Sequence, residues 1–289
     1  MKSLFLVPFL LLATAVSAQH PLITNYARGD LPAVPDSVKN TTEHAVVLRR
    51  NIIVDHISEG DNINEYLLMQ VTTYLRDNAG IDQNNTVQIG VDDVDDVVSV
   101  KARSISPDGK VVELAPDAFK KAKDEDDQGS SLSFAYEGLV PGSMTDYVCV
   151  LKQDAQLRGN RILLQFGTPI TEERFDLVGP ARLVMATKSY NGAPEALTDS
   201  SDATVQHLYW ILHNVPALKD EPSSAPDANY MQVIYALDRI PDMNIKDYSG
   251  YVAATKVYHE VLYPELTSKA AKEMKGLLKD ARVSYARDE

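Results

Sequence analysis

A series of short apolar runs, separated by turn residues, constrains the fold of this chain more than any other feature. β-branched and aromatic residues are frequent in these runs, which is typical of strands. Their close spacing favours stacked antiparallel strands over alternating strand–helix units. We therefore predict a mainly β protein, an antiparallel β-sandwich with a C-terminal helical segment. The runs are TVQIGV, VVSVKARSI, KVVEL, SLSFAYE, TDYVCVL, RILLQF, ERFDLV, ARLVMAT, VQHLYWILHNV and YMQVIYAL.

The clearest turn lies in VKARSISPDGKVVEL, residues 100–114. Pro107 presets φ for a type I turn, and Gly109 can adopt the left-handed conformation that a bulged hairpin requires. The segment therefore predicts a β-hairpin with a structural role. Strand alternation places Val98, Val100 and Ala102 on one face and Lys101 and Arg103 on the other.

Two longer segments precede these runs. HAVVLRRNIIVDHI, residues 44–57, is rich in β-branched residues and predicts a strand. NEYLLMQVTTYLRDNAG, residues 64–80, mixes helix-favouring Leu and Met with strand-favouring Val, Thr and Tyr, and we predict a strand there as well.

The C-terminal part of the chain changes in character after Leu237. A polar connector, DRIPDMNIKDYSG, spans residues 238–250, and the residues beyond it have a helical composition. Thr267 or Ser268 can cap the last helix. That helix needs a surface to cover its apolar stripe, which consists of Ala271, Met274, Leu278 and Ala281.

The N-terminal residues resemble an export signal. Lys2 precedes an apolar segment from Leu4 to Val16, and Val16-Ser17-Ala18 matches a signal-peptidase site. We therefore expect an exported protein, periplasmic or extracellular, whose mature chain begins near Gln19. The predicted organisation is a signal peptide at 1–18, an extended lead-in at 19–43, a β-sandwich domain at 44–237, and a connector with helices at 238–289.

Charge and cysteine content exclude several classes of function. The formal net charge is −13, so nucleic acids and anionic membrane surfaces would repel the protein. Cys149 is the only cysteine, which rules out an intramolecular disulfide and a cysteine-rich zinc site. We expect a protein partner, no cofactor and no stable membrane span after removal of the signal peptide.

Few residues are candidates for chemistry. Cys149 lies among apolar neighbours in TDYVCVL, so we predict a buried, unreactive thiol. The histidines are interpreted as surface or strand-edge residues, and His207 and His213 would lie about 20 Å apart on one strand, too far apart for one metal. We predict no catalytic, cofactor-binding or metal-binding residue. The six histidines are His20, His44, His56, His207, His213 and His259.

Two acidic runs and an aromatic pair leave alternatives open. The acidic residues at 92–96 and 124–127 are typical of solvated loops, with weak calcium sites as the alternative. Tyr209 and Trp210 are adjacent and face opposite sides of a strand, so one should lie in the core while the other is free to be exposed. Core packing or a domain interface is favoured for this pair over a sugar-stacking platform.

Four segments in this order resemble a known family: VKARSISPDGKVVEL, FAYEGLVPGSMTDYVCVL, LLQFGTPITEERFDLVGPARLVM and YWILHNVPALKDEPSSAP. They are similar to an exported bacterial domain of unknown function that commonly precedes a transglutaminase-like domain, with a match from about residue 44 to 237. The resemblance implies a β-sandwich and a helical link into a papain-like, cysteine-dependent core.

The sequence lacks the Gly-Asp-Cys segment, and the His and Asp downstream of it, that such a core requires. Residues 251–289 would correspond only to the helices leading into the core. The chain is then either truncated before the core or a stand-alone relative, and whether the native chain continues beyond Glu289 stays open.

These observations lead to two hypotheses. In the first, the chain is a non-catalytic accessory domain that positions a transglutaminase-like core, in cis or in trans, or contacts its substrate. In the second, it is a stand-alone module that binds a protein or carbohydrate of the cell envelope. An enzyme within these residues is disfavoured, because no nucleophile–base pair or metal set can be assembled from the motifs.

Overall fold

The computed structural model describes Ile23 and residues 26–59, 62–92, 94–123, 130–219, 225–262 and 268–285. The predicted signal peptide, the acidic residues 124–127 and Glu289 lie outside these ranges. Strands make up 50% and helices 17% of the structure, which confirms the prediction of a mainly β fold. The domain bounds given above stay predictions.

The strands are β1 (Ala45–Glu59), β2 (Asn62–Leu75), β3 (Thr86–Gly90), β4 (Val94–Ile105), β5 (Val111–Glu113), β6 (Lys120–Lys123), β7 (Ser130–Ala135), β8 (Met144–Asp154), β9 (Asn160–Leu163), β10 (Ile170–Pro180), β11 (Val184–Tyr190), β12 (Leu197–Asp199), β13 (Val205–Val215) and β14 (Gln232–Arg239). The helices are α1 (Asp36–Lys39), α2 (Asn78–Asn84), α3 (Pro226–Asn229), α4 (Tyr251–Leu262) and α5 (Ser268–Tyr285), with 3₁₀ turns at Pro116–Ala118 and Pro241–Met243.

The strands form one large and two small sheets. The central sheet has eight strands in the order β12-β13-β10-β1-β2-β8-β4-β5. The small sheets have the orders β11-β14-β9 and β3-β7-β6. Both pack on the same face of the central sheet, since Leu67 of β2 contacts the apolar cores beneath each of them. The result is a layered β structure with several sheets.

One strand pair departs from the antiparallel prediction. β1 and β10 pair in parallel, with Ile52 opposite Phe175 and Val54 opposite Leu177. Every other strand pair among the described residues is antiparallel. A parallel partner requires a crossover connection, and here the chain from β2 to β9 provides it.

The larger core lies beneath the β11-β14-β9 sheet. Phe175 and Trp210 stack there with ring centroids 4.8 Å apart, and Tyr235 of β14 closes over Phe175 at 6.2 Å. All three side chains are fully buried. A second core, beneath the β3-β7-β6 sheet, packs Phe134 and Leu132 against Cys149 of β8. Burial of these aromatic and aliphatic side chains is the main source of stability.

The opposite face of the central sheet is covered differently. Ile23 and Tyr26, from the predicted lead-in, pack on Leu68, Val148 and other apolar residues of this face. The Tyr26 hydroxyl accepts a hydrogen bond from Asn51 Nδ2 at 3.0 Å and donates one to Gln70 Oε1. A single chain segment therefore covers this face where two small sheets cover the other.

The hairpin between β4 and β5 is confirmed. Ser106 N–H donates to Lys110 O at 3.0 Å, and Gly109 has a φ of +86°, in the left-handed region that favours glycine. The predicted side of Val98 is wrong. The pairing of β4 with β8 shifts between Val97 and Ser99, so a β-bulge turns Val98 outward and leaves Val97 facing the core.

The strands predicted at 44–57 and 64–80 are present as β1 and β2, and the second prediction holds as far as Leu75. Beyond it the chain turns into α2, whose N-cap is Asp77; this carboxylate accepts a hydrogen bond from Gly80 N–H at 3.0 Å. A Cβ on Gly80 would lie 2.1 Å from the His44 carbonyl oxygen. Glycine is therefore needed where α2 meets β1.

Candidate functional site

Cys149 lies in the middle of β8 with no exposed surface. Burial raises the pKa of its thiol to about 12. A nucleophilic cysteine requires the opposite, a lowered pKa and access for substrate. The structure therefore confirms that this thiol is buried, and its lack of reactivity stays a prediction.

Three of the described histidines, His44, His56 and His207, lie in separate parts of the fold and pair with carboxylates. His44 Nδ1 is 2.9 Å from Asp77 Oδ2 and half-exposed. His207 is buried, with Nε2 at 2.7 Å from Asp176 Oδ1 and Nδ1 at 3.5 Å from Asp199 Oδ2. The interpretation of His207 as a surface residue is therefore wrong, because Asp176 of β10 and Asp199 of β12 flank the ring.

Asp176 connects that pair to a larger charged group on the same face. Arg174 binds its carboxylate through Nε at 2.7 Å and Nη2 at 2.8 Å. Burial opposes ionisation, but the hydrogen bonds from His207 and Arg174 hold the pKa of Asp176 below its ordinary value. The Arg174 guanidinium also lies 5.3 Å from the centre of the Tyr209 ring. This arrangement links the side chains of β13 and β10 on this face.

A second cluster of polar side chains, around His56 and Glu65, places an imidazole beside a carboxylate and a tyrosine hydroxyl. His56 Nε2 lies 3.2 Å from Glu65 Oε2, and the Tyr235 hydroxyl donates to the same oxygen at 3.4 Å. Gln153 donates to Glu65 Oε1 at 2.7 Å, and Asn160 donates to the Tyr235 hydroxyl at 3.1 Å. Sequence analysis missed this cluster and placed His56 at the surface, which is wrong, because β1 and β2 bring the pair together beneath β14.

This cluster is closed off from solvent, which favours a structural role over a catalytic one. His56 and Glu65 are each 1% exposed and Tyr235 is fully buried. Burial raises the pKa of Tyr235 far above its ordinary value, and the neighbouring Glu65 carboxylate raises it further. The hydrogen bonds among Glu65, Gln153, Asn160 and Tyr235 form a buried network of the kind that specifies strand register. A substrate could reach it only if the β11-β14-β9 sheet separated from the central sheet.

The acidic runs show no metal geometry where the structure covers them. Asp92 accepts a hydrogen bond from Ser130 N–H, and Asp95 and Asp96 are exposed at the start of β4. In the parts of the chain that the structure describes, no three His, Cys, Asp or Glu side chains converge on a possible metal position.

The aromatic pair is arranged as predicted. Trp210 is fully buried against Phe175, while Tyr209 on the other face is half-buried beside Arg174. The guanidinium occupies a position over the Tyr209 ring where a sugar would stack. Core packing therefore explains Trp210, and a cation–π contact explains Tyr209.

Among the described residues, the large apolar side chains with the greatest exposure lie on the C-terminal helices. Tyr251 is 90% exposed and Leu277 is 70% exposed, and Val252, Tyr258, Leu262 and Met274 are also exposed. Exposed apolar groups in this number mark an interaction surface. The predicted stripe included Met274 but missed the residues of α4, whose spacing at 251, 258 and 262 is a helical-face signal. No helix within the described ranges is long and apolar enough to cross a bilayer.

Comparison with known proteins found a matching family and several structures with a similar fold. The profile of a domain of unknown function with solved structure, DUF3857, matches residues 69–219. The crystal structure of a "putative protease" from Parabacteroides distasonis ATCC 8503 aligns with 83% of this chain and 50% of its own, at a TM-score of 0.56 and 15% identity. The M1 zinc metallopeptidase from Deinococcus radiodurans covers 67% of this chain and 42% of its own, at a TM-score of 0.37 and 8% identity. No curated protein shows significant similarity.

These matches differ in what they establish. At 15% identity the Parabacteroides protein shares the fold alone, and this chain spans about half of its length. The Deinococcus match is too weak to support an argument. The profile match extends from β2 to just beyond β13, slightly more than half of the 289 residues. The chain therefore belongs to the DUF3857 family.

Proposed function

We propose that this protein is a non-catalytic accessory domain of an exported, protease-like protein, and that it positions a transglutaminase-like core or contacts the substrate of that core. The apolar side chains that α4 and α5 expose directly after the β layers carry this proposal. A domain whose own cores are already filled does not need them, whereas a neighbouring catalytic domain would cover them.

The chemistry of the β layers supports the same role. Cys149 is sealed beneath the β3-β7-β6 sheet, and the buried His56 and His207 face carboxylates. Within the described ranges, no thiol and imidazole face each other across a cleft. The reacting groups would therefore come from another domain, either in the same polypeptide or in a separate one. The shared fold with half of a protein described as a protease supports the same pairing.

Isolation of the native protein tests this proposal. An antibody against the β layers would be used to purify the protein from its natural source, followed by intact-mass measurement and peptide sequencing. We expect a Gly-Asp-Cys core in the same polypeptide or as a stoichiometric companion. A polypeptide that ends at Glu289 and carries no such companion would contradict it, and a glycan or another envelope component found in its place would favour the stand-alone binding module.

An activity assay tests the non-catalytic part of the proposal. The purified chain is expected to show neither amide hydrolysis nor acyl transfer above buffer. The matched control is Cys149→Ser, which should be indistinguishable from the parent chain. Turnover by the parent chain that disappears in this variant would show that the buried thiol becomes accessible, and the accessory role would then be wrong.

A further inference from the structure

An open cleft lies on the face of the central sheet that carries the N-terminal segment. Its volume is about 650 Å³, which is within the range of small-ligand sites. Val98, which is 48% exposed, and the accessible edges of Val148 and Val150 form its apolar part, and Leu68 is fully buried beneath them. Ile23, Tyr26 and Arg28 line one side, and the outward-facing residues of β4 line the other.

Basic side chains converge at one end of this cleft. Arg103 Nε lies 2.8 Å and Arg28 Nε lies 3.6 Å from the same oxygen, Asp146 Oδ2. Asp146 is fully buried and also accepts hydrogen bonds from Gln70 at 3.1 Å and Thr72 at 2.9 Å. One buried carboxylate therefore holds two guanidinium groups in place, and a preorganised arginine binds anions at a lower entropic cost.

The balance of charge at the cleft is positive although the whole chain is acidic. Arg28, Arg103 and Lys101 face two carboxylates, Asp146 and Glu113. Lys101 is exposed and makes no ion pair with any residue that the structure describes. The cleft thus has one cation in excess beside its apolar part.

Glu113 shows how an anion binds at this end. Its carboxylate lies 3.1 and 3.2 Å from Arg28 Nη1, while its side chain is 57% exposed. It belongs to β5, a three-residue edge strand, and exposed pairs of this type contribute little to stability. A carboxylate from outside could therefore replace that of Glu113 on Arg28.

We infer that the cleft binds the C-terminal carboxylate of a short, extended peptide with apolar end residues. The carboxylate would lie between Arg28 and Lys101, and the apolar side chains would lie on Val98, Val148 and Val150. The bulge at Val98 leaves that residue out of the pairing with β8, and the Ser99 hydroxyl lines the same wall. The Ser99 hydroxyl can hydrogen-bond a peptide backbone, which a fatty acid lacks. This inference does not depend on the proposed accessory role.

Titration calorimetry on the full chain tests the site with three probes: acetyl-Ala-Val-Val with a free carboxylate, the same peptide as its C-terminal amide, and octanoate. We expect the acid to bind at least about tenfold more tightly than the amide, because a charged hydrogen bond is lost in the amide. Raising the salt concentration should weaken the binding of the free-carboxylate peptide, because salt screens its attraction to the arginine and lysine side chains. Equal affinity of acid and amide, no binding of either, or binding of octanoate alone would each overturn the inference.

Two exposed residues allow variants that leave the fold intact. Lys101→Gln should weaken binding of the acid about threefold, and Glu113→Gln should strengthen it by a similar factor because the competing carboxylate is gone. Lys188→Gln, on the exposed side of β11, is the matched control and should change nothing. Unchanged affinity in both cleft variants would show that the peptide binds elsewhere and would contradict the inference.

Discussion

The core beneath the β11-β14-β9 sheet and the C-terminal helices use similar apolar residues with opposite results. In the core, Trp210, Phe175 and Tyr235 are fully buried and in ring contact. In α4 and α5, Tyr258 and Leu277 are about 70% exposed. The hydrophobic effect stabilises only the surface that is removed from water. The first region should therefore determine the stability of the protein, and the second its association with a partner.

The largest expected effect is that of Trp210→Ala. Removing the indole that stacks on Phe175 leaves a cavity in a filled core, and we expect the free energy of unfolding to fall by about 3–5 kcal/mol. Urea denaturation followed by tyrosine fluorescence and circular dichroism measures the change. Ile211→Ala, at the adjacent and partly exposed position, is the control and should cost less than about 1 kcal/mol. Equal losses in both variants would contradict the assignment of stability to this core.

A smaller effect on stability is expected from replacing Glu173, which lies in the same region. Its side chain is fully buried, with Oε1 at 2.5 Å from Arg50 Nη1. Burial raises the pKa of Glu173 to about 8, against the opposing effect of Arg50. A raised pKa in the folded state means that the contribution to stability is complete below about pH 4.5 and is lost as the pH rises towards 8. Between pH 5 and 8 the parent should therefore lose stability relative to Glu173→Gln, by an amount on the order of 3 kcal/mol.

Chemical denaturation at a series of pH values measures that difference. Glu172→Gln, whose side chain is partly exposed on the opposite face of β10, is the matched control and should follow the parent profile. If the parent instead gains stability over Glu173→Gln between pH 5 and 8, the pair with Arg50 lowers the pKa of Glu173 and the assignment is reversed.

The smallest effect on stability should come from the helices. Tyr258→Ser and Leu277→Ser should each change the free energy of unfolding of the β layers by no more than about 0.5 kcal/mol, since both side chains are exposed. Binding of a hydrophobic dye should decrease in both variants. A loss above about 1 kcal/mol would mean that α4 and α5 pack on the β layers, which would remove the contrast between the two regions.

Local sequence patterns predicted the strands and the hairpin turn well, but they could not predict which residues of neighbouring strands lie opposite each other. β1, β2 and the hairpin at Gly109 follow from β-branched residues and turn chemistry, which act within a few residues. The bulge that turns Val98 outward depends on the register with β8, more than forty residues away. The pairing of His56 with Glu65 depends on the register of β1 and β2, and that of His207 with Asp176 on the register of β10 and β13.

Sequence patterns were enough to predict the mainly β class, the burial of Cys149 and the burial of one residue of the Tyr209–Trp210 pair, because alternation along a strand assigns neighbouring side chains to opposite faces. The three-dimensional fold was needed to learn which strands are neighbours, including the parallel pair of β1 and β10. It also decided that Arg28 and Arg103 meet at Asp146 to form a basic cleft. Backbone hydrogen bonding is available to any two strands, in parallel or antiparallel pairs, so the choice of partner depends on the packing of the whole chain.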